Sequence, residues 1–251
     1  MNWLNRLQSI PFLQYLWRRS LYLQHQQPVQ ELQAMPPMQP FLALMAGDSS
    51  LEIVGDLSDT LLATPSFQQA VTVLQQDPAA AALIAERYMA PPHDLDALLR
   101  YPPDSLGHIY ALHMKASGFR AEDLYIDIPI QSEASYLEAR LSQTHDIWHL
   151  ITGFSTNVVD EIRLQAFHLP QFPYPLAVAL ISSTLMSTLL FSPDELPTLL
   201  DAIQQGWNMG KTAKPLFAQK WEEHWDKPLA TWRAELGITP LSNIPAASPV
   251  L

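Results

Sequence analysis

Residues 132–153 read SEASYLEARLSQTHDIWHLITG, some twenty positions without a proline or glycine until Gly153. A run of that length, far longer than an ordinary strand, predicts one long helix that Gly153 ends. The flanking chain is punctuated the same way. DPAAAALIAERYM (Asp77–Met89) sets a capping aspartate before Pro78 at the first helical position. PPDSLGHIYALHMKASG (102–118) opens on prolines, closes on Gly118, and places Leu106, Ile109, Tyr110 and His113 on one face. SPDELPTLLDAIQQGWNMG (192–210) offers Ser192 as a cap with acids in the first turn. The one short extended candidate is DLYIDIPI (123–130), and the 22 prolines against 8 glycines suit helices that start and stop sharply. The expectation is an all-α, helical-bundle-like single domain over residues 1–242, with 243–251 as a flexible tail.

Composition narrows the function. The 251 residues are 48% hydrophobic and only 16% charged, below the roughly 25% charge of average soluble domains. A net charge of −11 with 14 Lys+Arg argues against nucleic acid, whose phosphates need a basic face. With no cysteine there are no disulfides or thiolate ligands, so any metal must be bound by histidine and carboxylate; the absence fits a reducing compartment. Residues 1–24 contain an apolar stripe (Trp3, Leu4, Leu7, Ile10, Leu13, Trp17) beside Arg6, Arg18 and Arg19. That pattern suits either a peripheral membrane helix or a terminal helix packed on the body. LAVALISSTLMSTLLF (Leu176–Phe191) is apolar all round, but sixteen residues span about 24 Å, short of a ~30 Å hydrocarbon layer. It reads as a buried central helix.

The chemistry concentrates in His145, Asp146, His149 and Glu161. His145 and His149 share a stripe with Leu137, Leu141, Trp148 and Thr152, so both imidazoles can reach one ion, flanked by Asp146. Glu161 would lie about 18 Å further along a straight helix. The break GFST (153–156) allows a turn after Gly153, with Ser155 or Thr156 capping a second helix that returns Glu161 to His149. HxxxH alone is a weak motif, but the added aspartate and glutamate favour a metal. These ligands suit zinc, iron(II), manganese or magnesium without choosing among them. A zincin-like hydrolase is the competing reading, weakened because Asp146 is one methylene shorter than the HExxH glutamate.

The spacing of His145, Asp146, His149 and Glu161 resembles that of the ubiquinone (coenzyme Q) biosynthesis protein four family. PPDSLGHIY, EIRLQAFHLPQFPYPLAV and GWNMGKTAKPLFAQKWEEHWDKPLATWRAELGI resemble its other segments, so the likeness covers most of the chain. The family's mitochondrial members have a long N-terminal extension that is missing here, which suggests a bacterial-type protein. Two positions depart from the family: Asp160 stands where a small residue is usual, and Lys211 where arginine is common, losing the forked donor geometry. The resemblance implies an all-helical fold, a divalent metal on the four motif residues, and a prenylated aromatic quinone precursor as substrate. It also implies removal of the ring C1 carboxyl and its replacement by hydroxyl. Leu176, Ala179, Ser183 and Met186 are expected to line a lipid-accommodating core, and Lys211 to meet the head group. A non-catalytic prenyl-lipid-binding scaffold for other quinone-biosynthesis proteins remains the alternative. The expected setting is cytoplasmic, peripheral to the inner face of a membrane, with a homo-oligomer allowed.

Overall fold

Ser132 starts the long helix with a capping box: its Oγ accepts from the Ser135 backbone N–H, and the Ser135 Oγ takes the Ser132 N–H in return. No breaker follows until Gly153, whose left-handed φ of 76° ends the helix as its N–H bonds to the His149 carbonyl at 2.9 Å. This helix is one of eleven among the described residues of a computed structural model that describes 34–118 and 129–241. In chain order they are α1 (Met38–Met45), α2 (Leu51–Leu62), α3 (Pro65–Leu74), α4 (Pro78–Glu86), the single turn α5 (Leu95–Leu98) and α6 (Leu106–Ala116). Then come α7 (Glu133–Thr152), α8 (Val158–Gln171), α9 (Pro175–Phe191), α10 (Leu196–Thr212) and α11 (Leu229–Leu236). The described residues contain no strand, and the fold is all-α as expected.

Contacts separate residues 1–39 from residues 40–251. Of the first unit only 34–39 are described. The stripe of residues 1–24, positions 123–128 of the extended candidate and the tail 243–251 lie outside the described residues.

Within the second unit the central element is α7. It is buried from Ala134 to Leu141 and again at Thr144, Ile147, Trp148, His149, Ile151 and Thr152. Each of its buried polar residues has at least one side-chain hydrogen bond, which is how so polar a helix can occupy the interior. Arg140 grips Glu222 through both guanidinium nitrogens (2.6 and 3.0 Å) and donates to the Gln219 carbonyl at 2.8 Å. At the other end Arg233 of α11 donates to the Leu150 and Ile151 carbonyls (2.8 and 3.1 Å), two acceptors a helix C-terminus leaves open.

The apolar helix α9 differs from its expected burial. Leu176, Ala177, Ile181 and Ser183 are buried, but Val178, Met186, Leu189, Leu190 and Phe191 are exposed, Phe191 at 65%. A helix apolar on every side gives no pattern from which to tell its inner face, and here its last turns stand clear of the core. Ser192 also differs: it precedes a short 3-10 turn, Pro193–Glu195, and makes no side-chain cap.

α8, α9 and α10 follow one another through short connections, so α8 and α10 run in the same direction. Their seam is very close. A Cβ on Gly206 would fall 2.0 Å from the Arg163 carbonyl oxygen, and one on Gly210 2.2 Å from that of Phe167. Only glycine allows this approach, and Gln171 stitches it further by donating to the Gly210 carbonyl at 2.8 Å.

Candidate metal centre

The turn between α7 and α8 builds the site. After Gly153 the chain reverses, and Asn157, rather than Ser155 or Thr156, caps α8, its Oδ1 accepting from the Asp160 N–H at 3.0 Å. Asp160 locks the reversal: its Oδ2 accepts from the Ser155 N–H at 2.9 Å and from the Ser155 hydroxyl at 2.5 Å, and it pairs with Arg163. The unexpected aspartate is thus spent on the turn. Glu161 is the fourth residue of α8, one turn in.

That geometry returns Glu161 to the histidines. His145 Nε2 and His149 Nε2 lie 3.1 Å apart. Glu161 Oε2 is 3.4 Å from the first and Oε1 is 3.2 Å from the second. Ligand atoms about 2.0–2.1 Å from a tetrahedral ion are separated by about 3.4 Å, so these three edges frame a site of the right size. His149 is buried, whereas His145 and Glu161 keep 36% and 33% of their side-chain exposure and form the open side. The Phe154 carbonyl accepts only, so His149 Nδ1 donates to it at 3.2 Å, and Nε2, turned toward the cluster, is the atom available to an ion.

The charges agree with a cation-ready cluster. Burial opposes ionisation of Glu161, but the hydrogen bonds and charges of His145 and His149 hold its carboxyl far below the usual carboxylate range. For His145, burial is outweighed by the hydrogen bond and charge of Glu161 and by the charge of Asp146, which raise its pKa. Two imidazole nitrogens facing a carboxylate at these distances need a proton or a cation between them. Two neutral imidazoles and one carboxylate are a common donor set for divalent transition metals.

The structure brings His145, His149 and Glu161 together, with a ligand atom of each within 4.8 Å of the others. Asp146 is not in that group; its Oδ1 lies 3.9 Å from His113 Nε2 on α6. Burial lowers the His113 pKa, against the pull of Asp146. His113 was visible in the sequence as a face residue, but nothing in the spacing tied it to Asp146. Below the cluster His168 stacks on Trp148 (4.6 Å between centroids, 11° between planes), and burial pushes its pKa down to about 3. The Phe154 carbonyl carries no sequence signal at all, being backbone.

Of the expected lipid wall, Leu176 and Ser183 are buried, Ala179 is half-buried and Met186 is exposed. At spacings of three, four and three residues the four share one face running from core to surface. A cleft of about 560 Å³ lies elsewhere, lined by residues such as Tyr88, His93, Tyr101, Glu222 and Trp225 and by none from α9. Lys211 is exposed in the last turn of α10, where a cation suits the negative end of the helix dipole. No helix among the described residues is long and apolar enough to cross a membrane.

Comparison with known proteins gives one consistent result. The family model described as coenzyme Q (ubiquinone) biosynthesis protein Coq4 matches residues 34–242. A mitochondrial ubiquinone biosynthesis protein COQ4 from Zygosaccharomyces rouxii is 31% identical over 159 residues, 61% of this chain and 46% of that protein. The Bos taurus mitochondrial COQ4 homolog is 28% identical over 173 residues, 66% of this chain and 63% of that protein. The chain thus spans from about half to under two thirds of the length of these curated relatives. A crystal structure from Nostoc punctiforme PCC 73102, described provisionally as a ubiquinone biosynthesis protein, is 35% identical. It superposes with a TM-score of 0.74, covering 80% of this chain and 96% of that one.

Proposed function

Because this chain belongs to the Coq4 family of coenzyme Q (ubiquinone) biosynthesis proteins, we propose that it is a metal-dependent enzyme of prenylquinone synthesis. It replaces the C1 carboxyl of a prenylated hydroxybenzoate-type ring by hydroxyl. The exchange releases carbon dioxide and is an oxidation, so an oxidant such as dioxygen must come from outside the chain.

The observation that carries the reading is a cluster of three ligands rather than four. Three protein donors leave a coordination position for substrate, the arrangement of catalytic sites, whereas four close a structural one. A divalent ion bound there supplies Lewis acidity, drawing charge off a coordinated carboxylate and phenol. The chain's own residues do the rest. His149, fixed by the Phe154 carbonyl, presents Nε2 in one orientation. Glu161 arrives ionised, and the half-exposed His145 marks the side from which a ring enters. Asp146, beside His113, tunes the site through its charge on His145. The prenyl tail follows the Leu176–Ala179–Ser183–Met186 face from the core to the exposed end of α9, with Lys211 as a head-group contact.

The exposed apolar end of α9 and Trp207 of α10 favour, as a second reading, a prenyl-lipid scaffold that docks other quinone-synthesis proteins. Peripheral membrane attachment belongs to both readings. Replacement of His149 by alanine tests the first. Metal content and turnover of a prenylated hydroxybenzoate should both fall at least a hundredfold in a folded protein, as removal of a direct ligand exceeds the ~10–100-fold cost of losing an outer partner. Metal lost with quinone synthesis intact would favour the scaffold, and metal retained would show the site misread.

A further inference from the structure

α7 presents another acid on the face of its two histidines. Glu138 precedes His145 by seven residues and His149 by eleven, two and three helical turns. Its side chain is buried in a largely aromatic core, where its Oε2 accepts from the Tyr174 hydroxyl at 2.7 Å. The Tyr174 ring in turn lies 5.4 Å from that of His168 and 6.0 Å from that of Phe67. The groups facing Glu138 are Ser58 and Asp59 of α2, Tyr174 at the start of α9, and His145 on its own helix. No lysine or arginine is among them. A buried carboxyl so placed, beside a phenol that can donate and an aspartate that repels, is an unusual thing for a core to retain unless it serves a charge.

A divalent cation is such a charge. On two neutral imidazoles and one carboxylate it leaves a net +1 at a site whose innermost ligand, His149, is buried. Asp146 is partly exposed and stands toward His113. Of the carboxyls described around the site, Glu138 is the one enclosed within the protein, where a counter-charge is screened least.

Resting on the metal-centre reading above, we propose that Glu138 is the charge-compensating acid of that centre. It holds a proton while the triad lacks its ion and gives the proton up to solvent when a divalent cation binds, the Tyr174 hydroxyl then stabilising the carboxylate. Nothing is oxidised or reduced; one O–H bond breaks and the proton passes to buffer. Burial, opposed by hydrogen bonding from Tyr174, raises the Glu138 pKa in the metal-free chain, which agrees with a proton held there. Glu138 is a positioning residue in this sense, acting on the ion's affinity without touching it.

Calorimetric titration of the full chain with zinc ion, at about pH 6.5 in two buffers of different ionisation enthalpy, reads affinity and protons released together. An ionised Glu138 would itself raise the His145 pKa, so the protonation of His145 in each metal-free protein is read from its imidazole NMR shifts and subtracted before the comparison. The wild type should release close to one proton more than Glu138→Gln and bind ~10–100-fold more tightly. Tyr174→Phe should still release the proton but bind more weakly, since the anion has lost its donor. Equal proton release by the wild type and a folded Glu138→Gln overturns the proposal. If Glu138→Gln does not fold, unchanged zinc affinity in Tyr174→Phe overturns it and weakened affinity with the proton still released supports it. A wild type that binds no zinc removes the metal centre and this proposal with it; zinc bound without the extra proton removes this proposal alone.

Discussion

Gly206→Ala tests whether the α8–α10 seam sets the geometry of a site it does not touch. The new methyl would begin 2.0 Å from the Arg163 carbonyl oxygen and 3.2 Å from the Ala166 Cβ. Neither obstacle is the tip of a flexible side chain, so relief requires the two helices to part by about 1 Å in a close-packed interior. Overpacking of this kind costs about 1–3 kcal/mol. For a chain of this size each kcal/mol lowers Tm by about 2–4 °C, which gives a fall of about 2–12 °C. Arg163 lies two residues beyond Glu161, so the displaced part of α8 is the part that carries the carboxylate ligand. A shift of that size would pull Glu161 from its 3.2–3.4 Å positions and weaken zinc binding ~10–100-fold. Thermal melting and zinc titration read the two effects separately. A Gly206→Ala protein with wild-type Tm and wild-type zinc affinity would refute the reasoning, because the seam would then yield without cost. A lower Tm with unchanged affinity would refute only the link from seam to site.

Two further outcomes concern pH. His145 must lose its proton to bind a metal, and its pKa is raised above 6.5, so zinc affinity should still climb above pH 6.5, by up to about tenfold per unit. A titration series flat from pH 6.5 to 7.5 would contradict this. His168 is buried neutral with a pKa pushed down to about 3, so between its ordinary 6.5 and that value the unfolded chain binds the extra proton. Stability should therefore fall as pH falls through this window, by up to about 1.4 kcal/mol per pH unit from this residue. His168→Phe, which keeps a ring against Trp148, should flatten the acid limb of a denaturation series; superimposable curves would show that His168 is protonated without penalty.

The sequence made α7 legible because every local signal agreed: no breaker for twenty residues, then a glycine able to take a positive φ. The approach of Glu161 to His145 and His149 was legible for the same reason, since i,i+4 histidines and a turn leave few ways to arrange it, whereas the turn of Asp146 toward His113 was not. The cap of α8 was less so. Ser155, Thr156 and Asn157 can all cap a helix, and the choice fell to Asn157 because Asp160 engages Ser155 across the turn. The inner face of α9 is not legible in the sequence, because hydrophobicity on all sides carries no direction. Glu138 and Arg140 sat in plain view as charged residues of an exposed-looking pattern, and only Tyr174 and Glu222, 36 and 82 residues away, explain how they are buried. Such long-range partners leave no trace in local periodicity.

The turn from Gly153 to Asn157 has a consequence for the lifetime of the chain. An ion shared by His149 and Glu161 is a cross-link, closing a loop of about a dozen residues much as a disulfide would in a chain with no cysteine to make one. Loops of roughly that size are worth about 3 kcal/mol when clasped, by the chain-entropy account of such links. Without the ion, the turn, the carbonyl that orients His149 and the first turn of α8 share one fewer restraint, and they can open as a unit. A segment opened in this way is accessible to proteases. Metal supply would then govern how much of this protein a cell retains as well as how fast it works, and its abundance under chelation would report on the site before any substrate is added.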